Sequence, residues 1–320
     1  MTKKLRMFSG LGLLIATFLL SGCAQRPETE YNKKVVSSTF SAYDFSKNIL
    51  DGVDGYDVSY LTTSGTDLHS FVPTTKDIVN LATADLVIYI GGPSDEWIED
   101  AIKNKVNPNQ KVICLMELLK DNIVEEEIIE GMTEEEEEEE GIEYDEHVWM
   151  SLDNASVIAK EISLKLSEID PSNKPSFDKN LEKYVSKLDT LRADFEEGIK
   201  EGTKDTVIVC DRFPFRYLFD EFDLKYYAAF PGCSAESEAG FDTVVFLSNM
   251  ISQLNVDYVC VLENSPGEIS KVVLDSSDKK DVGVLSLNSL QSVSMADVDS
   301  GASYLDIMRN NLETLTLLTR

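Results

Sequence analysis

Short apolar runs alternate with longer amphipathic segments along most of the chain. The runs lie at 35–40, 56–61, 85–90 and 111–116 and, in a second series, at 206–210, 224–230, 256–262 and 282–287. Runs of this length predict strands, and the segments between them predict helices. Because strands that alternate with helices form parallel sheets, the pattern predicts an α/β protein. We expect two lobes, each with a mainly parallel β-sheet flanked by helices, since about 290 residues beyond the N-terminal segment exceed one comfortable core.

A single long helix is predicted between the two series of strands. It begins near Pro175 and stops at Gly202, and its apolar positions recur every three or four residues: Leu181, Tyr184, Leu188, Leu191 and Phe195. At 1.5 Å per residue, such a helix is about 40 Å long. We therefore assign 35–172 to an N-terminal lobe, 173–203 to one long backbone helix that joins the lobes and restricts their opening, and 204–320 to a C-terminal lobe.

The N-terminal residues 1–23 have the pattern of an export signal. Three basic residues precede an apolar stretch, 7–20, that is short for a membrane span. The stretch ends in Leu-Ser-Gly-Cys, which resembles the bacterial lipobox and implies lipidation of Cys23. Acyl chains on Cys23 would hold the protein at a membrane surface. We expect 24–34 to be a polar tether between this anchor and the folded body.

The chain is strongly acidic. Without the three basic residues of the leader, 26 Lys+Arg stand against 58 Asp+Glu, a formal net charge of −32. Such a surface repels nucleic acid and anionic lipid and favours cationic ligands. The acidic residues concentrate in 125–146, with seven consecutive glutamates at 134–140, which predicts a solvated loop. Whether this loop also collects cations stays open.

Four cysteines follow Cys23. Cys114, Cys210 and Cys260 lie in the apolar runs, where small buried hydrophobic residues are the preferred interpretation. Cys233 lies in a predicted loop. Export permits disulfides, so a bond from Cys233 to Cys210 or Cys260 stays open.

The chain has only two histidines, and each lies in a pattern that is typical of a metal ligand. His69 stands in GTDLHSFVP and His147 in YDEHVWMSLDN. Neutral imidazole is the commonest protein ligand for borderline transition metals. Acidic neighbours, Asp67 for the first histidine and Asp145 and Glu146 for the second, offer partners for the other ring nitrogen.

Several segments resemble one known family: VVSSTFSAYDFSKNI, GTDLHSFVPTTKDI, ADLVIYIGGPSDEWIE, DEHVWMSLDNA and ASYLDIMRNNLETL. The chain is similar to the metal-binding lipoproteins of bacterial ABC importers, the zinc/manganese cluster of solute-binding proteins. The resemblance implies two α/β lobes around a metal cleft, with His69 and His147 as ligands from the N-terminal lobe. It further implies capture of Zn²⁺, or of Mn²⁺, at the extracytoplasmic face of the cell membrane. The cargo would pass to an ABC permease and its ATPase, with no reaction catalysed.

The C-terminal lobe departs from the family's pattern at two expected ligand positions. Arg212 stands where relatives carry a histidine or glutamate, and arginine does not ligate a cation. Asn288 stands where an aspartate supplies the last ligand, and it offers only a neutral oxygen.

Several groups compete for the missing ligand. The first interpretation is that Asp211 replaces it by turning into the cleft. Glu236 or Glu238 stay alternatives, as does Cys233 as a thiolate. Glu263 is a further candidate beside the cleft, as a ligand or as a solvated neighbour. Alternatively, Arg212 pairs with a carboxylate and metal binding is weak.

Two other functions stay open beside metal capture. A zinc hydrolase would use both histidines and a carboxylate, but the sequence lacks HExxH and a clear general base near either histidine. Surface adhesion is assigned to some relatives, although these residues show no adhesive surface. Two nitrogens with one thiolate or carboxylate would suit zinc, whereas two nitrogens with two oxygens would also admit manganese.

Overall fold

The computed structural model describes residues 32–133, 143–234 and 238–320. The leader with Cys23, most of the tether, the glutamate run at 134–140 and Glu236 lie outside the described residues. Residues 33–320 belong to one compact unit. The described residues contain these strands: β1 (Lys33–Ser37), β2 (Tyr56–Tyr60), β3 (Leu86–Tyr89), β4 (Lys111–Cys114), β5 (Thr206–Arg212), β6 (Lys225–Phe230), β7 (Tyr258–Leu262) and β8 (Gly283–Leu287).

The strands form two four-stranded sheets, one in each lobe. The strand order is β2-β1-β3-β4 in the first sheet and β6-β5-β7-β8 in the second, and every pairing is parallel. Each of the eight predicted runs overlaps one of these strands, so the α/β prediction is confirmed. In a parallel sheet the carboxyl ends of all strands share one edge, and the loops that follow them form a crevice there.

Helices cover the sheets and follow most of the strands. They are α1 (Phe40–Ile49), α2 (Thr75–Thr83), α3 (Trp97–Lys103), α4 (Leu115–Leu118), α5 (Leu152–Ile169), α6 (Lys174–Lys200), α7 (Arg216–Glu221), α8 (Phe241–Gln253), α9 (Glu268–Ser276), α10 (Met295–Asp299) and α11 (Tyr304–Leu318). Short 3₁₀ turns occur at Leu68–Ser70, Val148–Met150 and Pro171–Asn173. Within the described ranges, none of these helices has the length and apolar character needed to cross a membrane.

Helix α6 is the predicted connection between the lobes. It buries four of the five side chains that the periodicity selects, Tyr184, Leu188, Leu191 and Phe195, and Leu181 is half-buried. It packs against α5 and α1 of the first lobe and against α11, which follows the second sheet. The prediction of one long joining helix is confirmed.

The apolar core is continuous between the lobes. One cluster of buried side chains includes residues from both sheets, such as Val35 of β1 and Val207 of β5. Hydrogen bonds reinforce this contact: Trp149 Nε1 donates to the Ser289 carbonyl oxygen at 3.0 Å, and Tyr304 Oη donates to the Trp149 carbonyl oxygen at 2.8 Å. Because buried side chains from the two lobes pack against one another, the lobes resist rigid-body separation.

The four described cysteines are free thiols. Cys210 and Cys260 are buried in β5 and β7, as the sequence indicates, and Cys114 is half-buried. Cys233 forms no disulfide, so the bond to Cys210 or Cys260 that the sequence left open is absent from the described structure.

The buried carboxyl group of Asp44, in α1, makes the stability of the protein depend on pH. Tyr184 Oη lies 3.3 Å and Asn48 Nδ2 3.1 Å from Asp44 Oδ2. Burial raises the pKa of Asp44 from its ordinary value of 3.8 to about 6, although hydrogen bonds from the Tyr304 backbone and the Tyr184 hydroxyl oppose the change. The folded protein therefore holds this proton more tightly than the unfolded chain, and stability falls as pH rises through that window, by up to about 3 kcal/mol.

We therefore expect Asp44→Asn to be more stable than the wild type at pH 7.5, where the native carboxyl group is charged. The gain should disappear near pH 4, where the native group is protonated. Urea unfolding at the two pH values measures the difference, with Asp121→Asn at an exposed position as the control. An equal effect of Asp44→Asn at both pH values would contradict the raised pKa.

Candidate metal centre

Both histidines lie in short turns that an aspartate holds two residues earlier. His69 lies in the 3₁₀ turn after β2, and its backbone N–H donates to Asp67 Oδ1 at 3.0 Å. His147 directly precedes the turn Val148–Met150, and its backbone N–H donates to Asp145 Oδ1 at 2.8 Å. An aspartate side chain that binds the backbone two residues on stabilises a tight turn. The same Asp-x-His pattern therefore fixes the backbone of both histidines.

The two imidazole rings approach each other through their Nε2 atoms. His69 Nε2 lies 3.2 Å from His147 Nε2. Two nitrogens that bind one tetrahedral zinc ion at 2.0–2.1 Å lie about 3.3 Å apart. His147 is fully buried, and the His69 side chain is 11% exposed. The pair therefore has the separation of two ligands on a single ion.

Hydrogen bonds at the other ring nitrogens determine where each histidine carries its proton. His147 Nδ1 donates to Asp145 Oδ1 at 2.8 Å. Ser94 gives its single hydroxyl hydrogen to Glu146 Oε2 in a short contact, so Ser94 Oγ accepts from His69 Nδ1 at 2.6 Å. When both rings are neutral, each Nε2 is left as an acceptor, 3.2 Å from the other. Such partners orient a metal-binding histidine and make it more basic.

Two glycines permit this arrangement by their lack of a side chain. A Cβ atom on Gly92 would lie 2.0 Å from Glu146 Oε1 and 2.7 Å from its Cγ. A Cβ atom on Gly232 would lie 3.2 Å from Cε1 of His147 and 2.9 Å from the Phe213 carbonyl oxygen. The sequence predictions do not include Ser94 or Gly232 at the site. The Gly-Gly-Pro sequence after β3 was the only local signal for the Gly92 turn.

Burial and charge act differently on the two histidines. Burial lowers the pKa of His69 to about 4, and the charge of His147 adds to this effect, so His69 is held in the neutral form. Burial alone would lower the pKa of His147 as well. The carboxylates of Asp145, Glu146 and Glu126 outweigh that effect, so the pKa of His147 is raised.

Cys233 is the third potential ligand at this position. Its Sγ and the ligating nitrogens of His69 and His147 all lie within 4.8 Å of one another. Within the described ranges, this is the one group of three potential ligands that lies so close together. Cys233 belongs to the loop after β6, and its backbone N–H donates to Glu126 Oε1 at 2.8 Å. Burial, with the nearby carboxylates, raises the pKa of its thiol.

Asp211 and Arg212, at the end of β5, have other partners. Asp211 Oδ1 accepts from the Arg212 backbone N–H at 2.9 Å, and Asp211 Oδ2 accepts from the Leu262 backbone N–H at 3.4 Å. The structure thus does not place Asp211 with the histidines. Arg212 Nη2 lies 2.7 Å from Asp67 Oδ2 and forms an ion pair between the lobes. The expected pairing of Arg212 with a carboxylate is therefore present.

The remaining candidates hold the loops of the second lobe. Glu263 accepts from the backbone N–H and the hydroxyl of Ser289 at 2.8 and 2.6 Å. Asn288 Oδ1 accepts from the Leu290 backbone N–H at 2.8 Å. Both side chains thus stabilise the loop after β8. Glu238 is exposed, and Glu236 lies outside the described residues.

Comparison with known proteins identifies the family. The family model described as "Zinc-uptake complex component A periplasmic" (ZnuA) matches residues 35–317. The chain belongs to the ZnuA family. The resemblance that the histidine motifs indicate is thus confirmed, and the matched range covers the joining helix and nearly all of both lobes.

Individual members of the ZnuA family are similar over nearly the whole chain. The high-affinity zinc uptake system protein ZnuA of Bacillus subtilis is 27% identical over 97% of this chain and 97% of its own length. The zinc-binding lipoprotein AdcA of Streptococcus pneumoniae is also 27% identical over 97% of this chain. This chain spans only about three-fifths of AdcA, with 60% of its length matched.

A solved member of the fold supports the same architecture. The metal-dependent lipoprotein YcdH of Bacillus subtilis superposes with a TM-score of 0.72 at 26% identity. The match covers 89% of this chain and 98% of that structure.

Proposed function

We propose that this protein captures a divalent transition metal ion, Zn²⁺ in preference to Mn²⁺, and delivers it to a membrane permease. The separation of the two Nε2 atoms, 3.2 Å, carries this proposal, because it fits two ligands of one ion. The hydrogen bonds from Asp145 and Ser94 support it, since they leave both nitrogens free to bind. The zinc-uptake description of the family and the zinc-binding relatives agree with this ligand pair.

The position of the protein outside the cytoplasm follows from the same family. The family description names the periplasm, and AdcA is called a lipoprotein. In this chain the lipobox-like end of the leader makes Cys23 the proposed site of lipidation. The partners would then be an ABC permease and its ATPase, and the lipid anchor would keep the protein near them. Docking would change the loops around the metal and thereby release it.

A hydrolase requires a base beside a metal-bound water. Asp145 and Glu146 hold the second nitrogens of the histidines, directly or through Ser94, and Asp67 pairs with Arg212. These carboxylates position ligands, which is the arrangement of a binding site. Capture without catalysis is therefore our proposal.

Competitive titration of the metal-free protein with Zn²⁺ and Mn²⁺ tests the proposal. We expect one tightly bound zinc ion per chain and weaker manganese binding, in the order that nitrogen ligands impose. A variant without residues 134–140 is the control, because seven consecutive negative charges attract cations without the histidines. Tight binding should persist in that variant, and its disappearance there would place the site in the glutamates and refute the histidine centre.

Growth at low zinc separates transport from adhesion. We expect loss of the protein to impair growth under zinc limitation and added zinc to restore it. Unimpaired growth of such cells, together with weak zinc binding in vitro, would contradict a role in uptake.

A further inference from the structure

The loop after β6 approaches the histidine pair closely. Gly232 allows it to pack so near His147 that an added Cβ would lie 3.3 Å from Nδ1 of that ring. The next residue, Cys233, then lies with its Sγ within 4.8 Å of both ligating nitrogens. Glu126 holds the backbone of Cys233 by accepting its N–H at 2.8 Å. The fold therefore fixes the backbone of Cys233 and, with it, the position of the thiol.

The carboxylates near the histidine pair already have hydrogen-bond or ion-pair partners. Asp67 pairs with Arg212. Asp145 accepts from His147 Nδ1, and Glu146 accepts from the Ser94 hydroxyl. Asp211 accepts two backbone N–H groups, and Glu263 accepts two hydrogen bonds from Ser289. Recruiting one of these carboxylates to the metal would break bonds that stabilise a loop. Movement of Cys233 Sγ by about 1 Å suffices, since sulfur and nitrogen on one tetrahedral zinc ion lie about 3.6 Å apart.

Arg212 connects the two loops that carry these ligands. Its Nη2 bonds Asp67, which holds the His69 turn, and its Nη1 lies 3.4 Å from the carbonyl oxygen of Ser234, next to Cys233. A cation that does not ligate metal thus holds the His69 turn and the Cys233 loop together. This gives Arg212 a positioning role in the proposed centre.

We propose that Cys233 binds the metal as a thiolate, so that the centre has two imidazole nitrogens and one sulfur. The inference rests on the proposed function and specifies its cargo: borderline and soft divalent ions such as Zn²⁺ and Cd²⁺, with Mn²⁺ bound only weakly. Thiolates bind such ions strongly, whereas manganese prefers oxygen. On binding, the thiol S–H bond breaks, its proton passes to solvent, and a sulfur–metal bond forms without any change of oxidation state.

The test uses the full chain, with spectroscopy of the wild type and the isosteric variant Cys233→Ser. Cobalt(II) added to the metal-free wild type should give a near-ultraviolet thiolate-to-metal charge-transfer band, which needs no variant to be seen. Cys233→Ser should lack that band and bind zinc at least about 100-fold more weakly, since removal of groups that only orient a ligand already costs 10–100-fold. The loss for manganese should be much smaller. Cys114→Ser, which removes a half-buried thiol in the other lobe, should keep both the band and the affinity.

Failure of this inference is distinguishable from failure of the proposed function. No charge-transfer band and unchanged zinc affinity in Cys233→Ser would overturn the thiolate, while the zinc-binding function would stand. No tight zinc binding by the wild type would overturn both. Circular dichroism of Cys233→Ser separates a lost ligand from a lost fold.

Discussion

His69→Ala is expected to lower the zinc affinity by more than about 100-fold, and the double variant with His147→Ala is expected to abolish the tight site. His69 Nε2 lies 3.2 Å from His147 Nε2, the separation of two ligands on one ion, so in the proposed site its loss removes a bond to the metal itself. The threshold follows because loss of a group that only orients a ligand already costs 10–100-fold. His69 is the better single substitution, since it is partly exposed and His147 is fully buried. Competition against a chelator of known affinity measures the change.

Two further variants test which side chains bind the metal and which only orient a ligand. Ser94→Ala removes the acceptor for His69 Nδ1 but no ligand, so it should cost no more than the 10–100-fold expected for an orienting group. Asp211→Asn tests the aspartate that the sequence favours as the third ligand. A large loss of zinc affinity in Asp211→Asn would make that aspartate the ligand. Full affinity in the double histidine variant would remove the basis of the proposed site.

Trp149→Ala is expected to lower the free energy of unfolding by about 3–5 kcal/mol, the range for truncation of a large buried aromatic residue. Trp149 is 1% exposed within the core cluster that both lobes share. Its Nε1 bonds the Ser289 carbonyl oxygen of the second lobe, and its own carbonyl oxygen accepts from Tyr304. The substitution would thus leave a cavity where the lobes meet. Urea denaturation measures the loss.

Two further substitutions separate packing from hydrogen bonding. Trp149→Phe keeps a ring but leaves the Ser289 carbonyl oxygen without its donor, which costs about 1–3 kcal/mol when such a group is buried. Trp97→Ala truncates the other tryptophan, which is only half-buried on α3, and should cost less than Trp149→Ala. Similar losses at the two tryptophans would show that the contact between the lobes contributes little to stability.

Much of the fold could be predicted because the parallel α/β pattern is local. A buried strand reads as an apolar run, and a covering helix shows the spacing of three or four residues that α6 displays. The histidines could be predicted for a related reason, since the aspartate that fixes each turn lies only two residues away in sequence. These features depend on neighbours along the chain.

The proposed third ligand depends on contacts between distant residues, so the sequence leaves several groups open for it. Strand β5 carries an irregularity between Val209 and Arg212, where its register with β6 shifts. Such a bulge interrupts the alternation of side chains, so alternation does not tell whether Asp211 or Arg212 faces the cleft. Cys233 comes near the histidines only because the Gly232 loop packs on His147. No sequence pattern indicates that Ser94 belongs to the site, since serine is common in loops.

The continuous core and helix α6 have a kinetic consequence. A binding protein with a loose hinge frees its cargo whenever the halves swing apart, and the rate follows that motion. Here the halves share buried side chains and α6, so spontaneous swinging is suppressed. Departure of the ion instead requires short segments, such as the His69 turn and the Cys233 loop, to shift within a fixed frame. We therefore expect the bound ion to have a long residence time on the isolated protein. The residence time should become short only when docking to a receptor displaces those segments.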